Sequence, residues 1–432
     1  MAKIKFRRDT SANWASANSV LSLGEPGLDI TNNALKMGDG TTHWTNLQYI
    51  VPPLPTTPAI QYTGTFGNKP EFWRYTTTFP RYQYSSNGAF RSSGSSGYYW
   101  LDEHFDDQNY DLSGTTSIRF TNIGGIKGYF DFSDKSEIVM HTLDLGEIAV
   151  VDEWFNIAGF SNTLTTFHAN NLIDVGSNFD IYGMQTVNGI TLNFPVLDRI
   201  TEHLYIDYNN GNSDYFANTA APTFPALTYV GNGIQIYQNK YTSWSDFTSL
   251  RHMFNDFNFN NNTNNDGELF DGPGMPALTH LQYGNLYYYS NDGMQSISEF
   301  AALVTIDGGI YIHDNSELES FPSFPVLEYV STIQAYNNPS MTTLDGSDGI
   351  GGWLPNILVI NGEINFRNCG LTETSVNLIL MKLAYLDGTN GTTIFQYRNV
   401  YIDQGTNAIP SGDGLTAKST LEGRGCNVYV NS

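Results

Sequence analysis

Residues 233–239 read GIQIYQN, residues 309–315 read GIYIHDN, and between them residues 285–291 read NLYYYSN. All three share one form: apolar, any, apolar, any, any, Asn. Two apolar residues two places apart put both side chains on one face of a strand. An Asn three places after the second of them can bond turn backbone through its side-chain amide. The phrase returns throughout the chain at Phe130, Phe155, Phe179, Leu204, Ile234, Phe257, Leu286, Ile310, Ile333 and Ile364, at intervals of 23 to 31 residues. A period of that size predicts a solenoid.

A second anchor precedes many of the strand phrases: FPVL at 194–197, FPAL at 224–227, MPAL at 275–278 and FPVL at 324–327. The Pro stops regular structure at a fixed point of each coil, and the Leu points back to the core. One coil cannot bury its own apolar face, so stacking must build a continuous core with a parallel sheet along one side. The strand half resembles an irregular leucine-rich repeat, L-x-L-x-x-N, with Cys369 at one Asn place. That resemblance implies a ladder through Asn209, Asn239, Asn262, Asn291, Asn315 and Asn338. The repeats run over 113–371, and an array of this kind needs an end cap. Val376, Ile379, Leu380, Leu383 and Leu386 predict a helix over 373–386, with Thr372 as N-cap and Glu373 in the first turn. The remainder, to residue 432, reads as a strand, a turn, a short helix and a last edge strand. With Gly405, Thr406, Asn407, Pro410, Ser411, Leu415, Lys418, Leu421, Gly423, Arg424, Gly425 and Val428 it resembles a C-terminal unit of phage and bacterial repeat proteins, which implies a structural role as part of the cap.

Composition agrees with this reading. The chain has 432 residues and a formal net charge of −23. Such an acidic chain is a poor partner for nucleic acid or anionic membrane. Only 15% of residues are charged, against 27 Tyr and 26 Phe, which suits β-rich extracellular or virion proteins. Two cysteines, Cys369 and Cys426, are too few for a disulfide framework. No stretch is long and apolar enough to span a bilayer. The start, MAKIKFRRDT, lacks the apolar run of a signal peptide, so synthesis in a cytoplasm without that export route is expected.

Residues 1–50 form a unit of their own. Ile4 and Phe6 alternate like a strand, SANWASAN suits a short helical turn, GEPG is a turn, and LDIT and ALKMG flank NN as in a hairpin. The combination of Phe6, Arg7, Arg8, Trp14, Gly24–Gly27, Leu35, Gly38–Thr41, Trp44 and Tyr49 resembles the N-terminal module of the phage major tropism determinant family and related tail-fibre proteins. The resemblance implies a β-rich element for trimerisation and virion attachment, with Phe6, Arg7, Arg8, Trp14, Asp39 and Trp44 as its attachment residues. The lectin-like variable domain of that family has no counterpart in this chain, so its receptor chemistry is not carried over. Residues 51–60, VPPLPTTPAI, read as a semi-rigid Pro-rich linker. Residues 61–112 read as a small aromatic β segment or N-terminal cap.

No catalytic constellation stands out. Walker, HExxH, G-x-S-x-G and CxxC patterns are absent, and the histidines show no metal-ligand spacing, so neither metal nor cofactor is expected. Asp106–Asp107, or Asp144 with Glu147, would serve glycoside hydrolysis in principle, but solvated surface carboxylates are the expected reading. The loop at 265–272 lacks regular calcium-ligand spacing.

Strand geometry points to a binding surface instead. Within each phrase the residues between and after the apolar pair face outward and stack into columns. The first column is Tyr205, Gln235, Asn258, Tyr287, Tyr311, Gln334 and Asn365. The second is Asp207, Tyr237, Asn260, Tyr289, His313, Tyr336 and Arg367. Exposed aromatic faces stack on sugar rings and amides offer paired donors and acceptors, so this sheet suits a glycan or a protein surface. The alternative, that these are only soluble strand-surface residues, stays open. The scarcity of Lys and Glu in both columns speaks for binding.

The sequence thus predicts a mainly β protein: a small N-terminal β module, a leucine-rich-repeat-like parallel β solenoid, and a C-terminal α/β cap over 372–432. The expected function is adhesion to the host surface by a non-enzymatic phage tail fibre. Its expected partners are tail or baseplate proteins and a host glycan or protein, and the family resemblance implies a homotrimer. The expected location is the virion tail, after assembly in the host cytoplasm. The competing readings are a virion polysaccharide depolymerase and a passive baseplate decoration.

Overall fold

The recurring phrases are strands of one long sheet. The computed structural model describes residues 7–31, 34–48, 59–67, 75–76, 99–101, 105–106, 111–121, 123–132, 140–158, 164–184, 192–209, 220–264, 268–344 and 353–432. Ile234–Tyr237 pairs in parallel with Leu204–Asp207 and with Phe257–Asn260, which sets Ile236 beside Ile206 and Phe259. Repetition of this register gives a parallel sheet of 13 strands from Phe105–Asp106 to Asn427–Val430. The apolar letters point inward and are almost fully buried. One of them is Tyr288, whose hydroxyl donates to the Pro273 carbonyl at 2.6 Å and so enters the core satisfied.

The second anchor proves to be a β-turn. In FPxL the Leu N–H bonds the carbonyl three residues back, as in Leu197 to Phe194, Leu227 to Phe224 and Leu327 to Phe324. Pro at the second turn position is already set to the φ that this turn needs. Two residues beyond the Leu a short strand begins, such as Arg199–Ile200, Tyr229–Val230 and Tyr329–Val330. These strands belong to a second sheet of 12, parallel except at its first edge, where Tyr75–Thr76 pairs antiparallel with Tyr99–Leu101. The coil is therefore that of a parallel β-solenoid with strands on two sides. Most of its coils place strands where the leucine-rich-repeat resemblance implies only one sheeted side.

Both sheets reach back beyond residue 113, through Tyr99–Leu101 and Phe105–Asp106. In this first part of the array a third side is also sheeted. Asp111–Thr121, Thr142–Asp144 and Thr166–His168 lie in parallel, with Ala59–Gly67 antiparallel at the edge.

Inside, aromatic rings stack from coil to coil. Phe105, Phe130, Phe155 and Phe179 have successive ring-centroid separations of 5.5, 4.9 and 4.9 Å. Phe194 and Phe224 of the turn anchors stack at 5.3 Å.

The predicted asparagine ladder is present, and Asn209, Asn239, Asn262, Asn291, Asn315 and Asn338 are fully buried. From Asn239 on, each Oδ1 accepts the backbone N–H of the preceding ladder Asn, while that of Asn209 accepts from Met184 N, and each Nδ2 donates to a strand carbonyl of the coil before. For Asn262 these bonds are 3.1 Å from Asn239 N and 3.0 Å to Ile236 O. The residue before each rung is left-handed: Tyr208, Gln238, Asn261, Ser290, Asp314, Asn337 and Asn368 have φ between 52° and 58°. That conformation is unfavourable for residues other than Gly, and the ladder bonds offset it. At the seventh rung the Cys369 thiol donates to Ala335 O at 3.0 Å, and burial pushes its pKa up to about 12. Asn407 then resumes the ladder, donating to Phe366 O at 2.7 Å.

In the last coils helices take the place of short strands. Glu373–Tyr385 starts at Thr372, whose hydroxyl accepts from Ser375 N, and Gly412–Gly423 follows the strand Asn399–Ile402. Residues 7–48 form a separate three-stranded sheet with the predicted hairpin of Pro26–Asp29 and Ala34–Met37 and the helix Ser11–Ala17. Trp14 and Trp44 stack there at 4.0 Å over Leu21 and Leu47.

Candidate binding face

Strand register aligns the two outward columns. Tyr205, Gln235, Asn258, Tyr287, Tyr311, Gln334 and Asn365 are successive neighbours across the first sheet. Asp207, Tyr237, Asn260, Tyr289 and His313 form the second column. Tyr336 continues it by stacking on His313 at 4.6 Å. Arg367 lies farther along, bonded to Asp403 at 2.8 Å and 3.8 Å above the Tyr401 ring.

The rings use their faces on one another. Tyr287 and Tyr311 stack at 4.8 Å and Tyr289 and His313 at 5.1 Å, nearly parallel in both cases. Along the rail that the two columns form, each of these rings therefore has at least one face taken up by its neighbour and unavailable for sugar stacking. Tyr287, Tyr289, Tyr311, His313 and Tyr336 are half-buried, so each ring remains partly open to solvent. Burial lifts the Tyr287 pKa to about 12 and raises that of Tyr311, so both phenols stay protonated donors. Hydrogen bonds such as Asn365 Nδ2 to Gln334 Oε1 at 3.1 Å and Gln334 Nε2 to Glu363 Oε1 order the side chains that follow Tyr311 in the first column.

Two members of the second column depart from the outward reading. Asp207 is only 8% exposed: its neighbours cover it and Gln235 Nε2 donates to its Oδ2 at 3.0 Å. Asn260 of the same column is likewise buried.

Two concavities flank Tyr205. One, of about 240 Å³, is lined by His203, Tyr205, Gln235, Asp256 and Asn258, with His203 stacked on Tyr205 at 5.1 Å. The other, of about 370 Å³, is lined by Asn156, Ala158, Asp180, Tyr182, Tyr205 and Asp207. Sequence reasoning missed Asp131, Asn156, Asp180 and Tyr182, although they occupy the same outward places in the phrases at Phe130, Phe155 and Phe179. Reading the columns back through those phrases finds them.

These acids titrate late. Burial, with Asp207 and Asp131 alongside, raises the Asp180 pKa to about 7, and burial raises that of Asp207 to about 6. Asp152, buried beside Asp174, is also raised to about 7. All three are harder to ionise folded than unfolded, where an Asp titrates near about 4. Stability is therefore expected to fall as pH rises from about 4 through about 7, then to level off. Thermal melts at pH 5 and pH 8 check this: the melting temperature should be higher at pH 5, and Asp180→Asn should narrow the gap.

Of the other acids noted in sequence, Asp144 is not a solvated carboxylate. It pairs with Arg119 at 2.7 Å and accepts from Gly146 N at 2.9 Å. Among the described residues no three His, Cys, Asp or Glu side chains group as a metal site would require.

In the N-terminal module, Trp14 and Trp44 are core residues and Asp39 holds a turn by accepting from Thr41 N at 2.9 Å and Thr42 N at 2.7 Å. Arg7 and Arg8 are exposed, with Arg7 3.5 Å from Glu25, and Phe6 lies outside the described residues.

Residues 4–42 match a family model described as the major tropism determinant N-terminal domain. A domain of that description links the chain to phage tropism, receptor binding and the virion. No curated protein and no solved structure matches the chain.

Proposed function

We propose that this chain is a non-enzymatic phage tail-fibre protein that binds the host surface through the outer face of the first sheet. The match at residues 4–42 carries the reading. The N-terminal module, whose Trp14–Trp44 core is self-contained, attaches the chain to tail or baseplate proteins. The solenoid presents the rail of tyrosine rings, His313 and amides to a glycan or protein of the host. Trimeric assembly would set several copies of the rail side by side, so that weak single contacts add up to firm adhesion. Assembly takes place in the host cytoplasm.

The purified chain tests this by competition. Host cells coated with it are expected to adsorb the cognate phage at least tenfold more slowly. Unchanged adsorption would leave the chain a passive decoration, and reducing ends released from host polysaccharide would make it a depolymerase.

A further inference from the structure

The larger concavity beside Tyr205 holds polar atoms that the rail does not use. Its floor is formed by three adjacent strands, Phe155–Ala158, Phe179–Tyr182 and Leu204–Asp207. Asn156 and Asp180 are register neighbours, and Asp207 lies diagonal to Asp180, opposite Tyr182. Ala158 leaves the space open where the next strand carries Tyr182. Asn156 Oδ1, Asp180 Oδ1 and Asp207 Oδ1 are all buried and have no hydrogen-bond partner within the protein. Asp207 itself is 8% exposed. Buried acceptors normally find a donor, and leaving one unpaired is costly.

We propose that this concavity binds a primary ammonium group, carried by a lysine side chain or by an amino sugar. An ammonium has three donors and no acceptor, which matches three unpaired oxygens. Its positive charge offsets the mutual repulsion of Asp180 and Asp207, to which Asp131 on the next strand adds. The rings of Tyr182 and Tyr205 border the space, where a cation gains further from an aromatic face. A neutral hydroxyl would leave the carboxylate charge uncompensated. A calcium ion needs several oxygens converging at about 2.3–2.6 Å, and no acidic group of that kind forms among the described residues. The site stands independently of whether the rail holds a host receptor.

Calorimetric titration of the full chain tests it with glucosamine and Nα-acetyl-lysine methylamide as probes. At least one is expected to bind, and which one does so identifies the source of the amine. N-acetylglucosamine and the Nε-acetylated lysine probe, which lack the charge, should bind at least tenfold more weakly. Asp207→Asn should weaken binding by at least tenfold. Ala158→Leu, which fills the space and leaves the carboxylates in place, should do the same should the first variant fail to fold. Binding of neither amine, equal binding of charged and acetylated probes, or saturable calcium binding that Asp207→Asn abolishes would overturn the proposal.

Discussion

Asn262→Ala is expected to destabilise the solenoid by about 2–6 kcal/mol, since it orphans two buried backbone groups at about 1–3 kcal/mol each. Asn239 N–H loses its acceptor and the Ile236 carbonyl loses its donor. Water cannot replace either partner, because Asn262 and its ladder neighbours are fully buried. The loss should also be local. Asn291 Oδ1 keeps the Asn262 backbone N–H, and Asn239 Nδ2 keeps the Ile206 carbonyl, so the ladder breaks at one rung. Asn262→Asp should cost more than the alanine. It preserves the acceptor but turns a carboxylate oxygen toward Ile236 O and Asn291 Oδ1, which now accept from Nδ2. Urea unfolding reads the total. Hydrogen exchange reads the place: the Asn239 amide should lose its protection while the Asn338 rung keeps its own. An alanine variant as stable as the parent would show that the ladder follows from coil stacking and does not hold it.

The strand phrase, its buried letters, the ladder and the helix at Glu373–Tyr385 were legible in sequence, because each has a period or a cap. The second sheet was not. Its strands, such as Arg199–Ile200, are two residues long, too short for alternation to show, and only the FPxL turn before them leaves a mark. The outward columns were legible as positions, since side-chain alternation is fixed by the strand. Their chemistry was legible only in part. Nothing in Tyr287 or Tyr311 says that their rings would face each other, because that depends on which residues meet across strands 24 apart in sequence. Asp207 reads as a surface acid until Gln235 and the surrounding side chains cover it. Partnering between coils is a property of register, and intervals that vary from 23 to 31 residues conceal register from a linear reading.

The second large effect concerns adhesion. Tyr287→Ala with Tyr311→Ala removes the two protonated phenols at the middle of the first column and leaves the backbone register and the buried ladder in place. Each rail that loses about 1.4 kcal/mol of contact binds about tenfold more weakly. Where several copies engage together, that factor multiplies across the copies. Residues 4–42 are untouched, so attachment to the particle should be unchanged. His280→Ala serves as the control, because His280 is an exposed residue of the second sheet, away from the rail. The most direct measurement is the adsorption rate of otherwise identical virions carrying either variant, with incorporation into the particle checked by immunoblot. The tyrosine pair should slow adsorption at least tenfold and His280→Ala should leave it unchanged. Adsorption at the parental rate by fully incorporated Tyr287→Ala, Tyr311→Ala virions would contradict the assignment of the first sheet as the receptor-binding face.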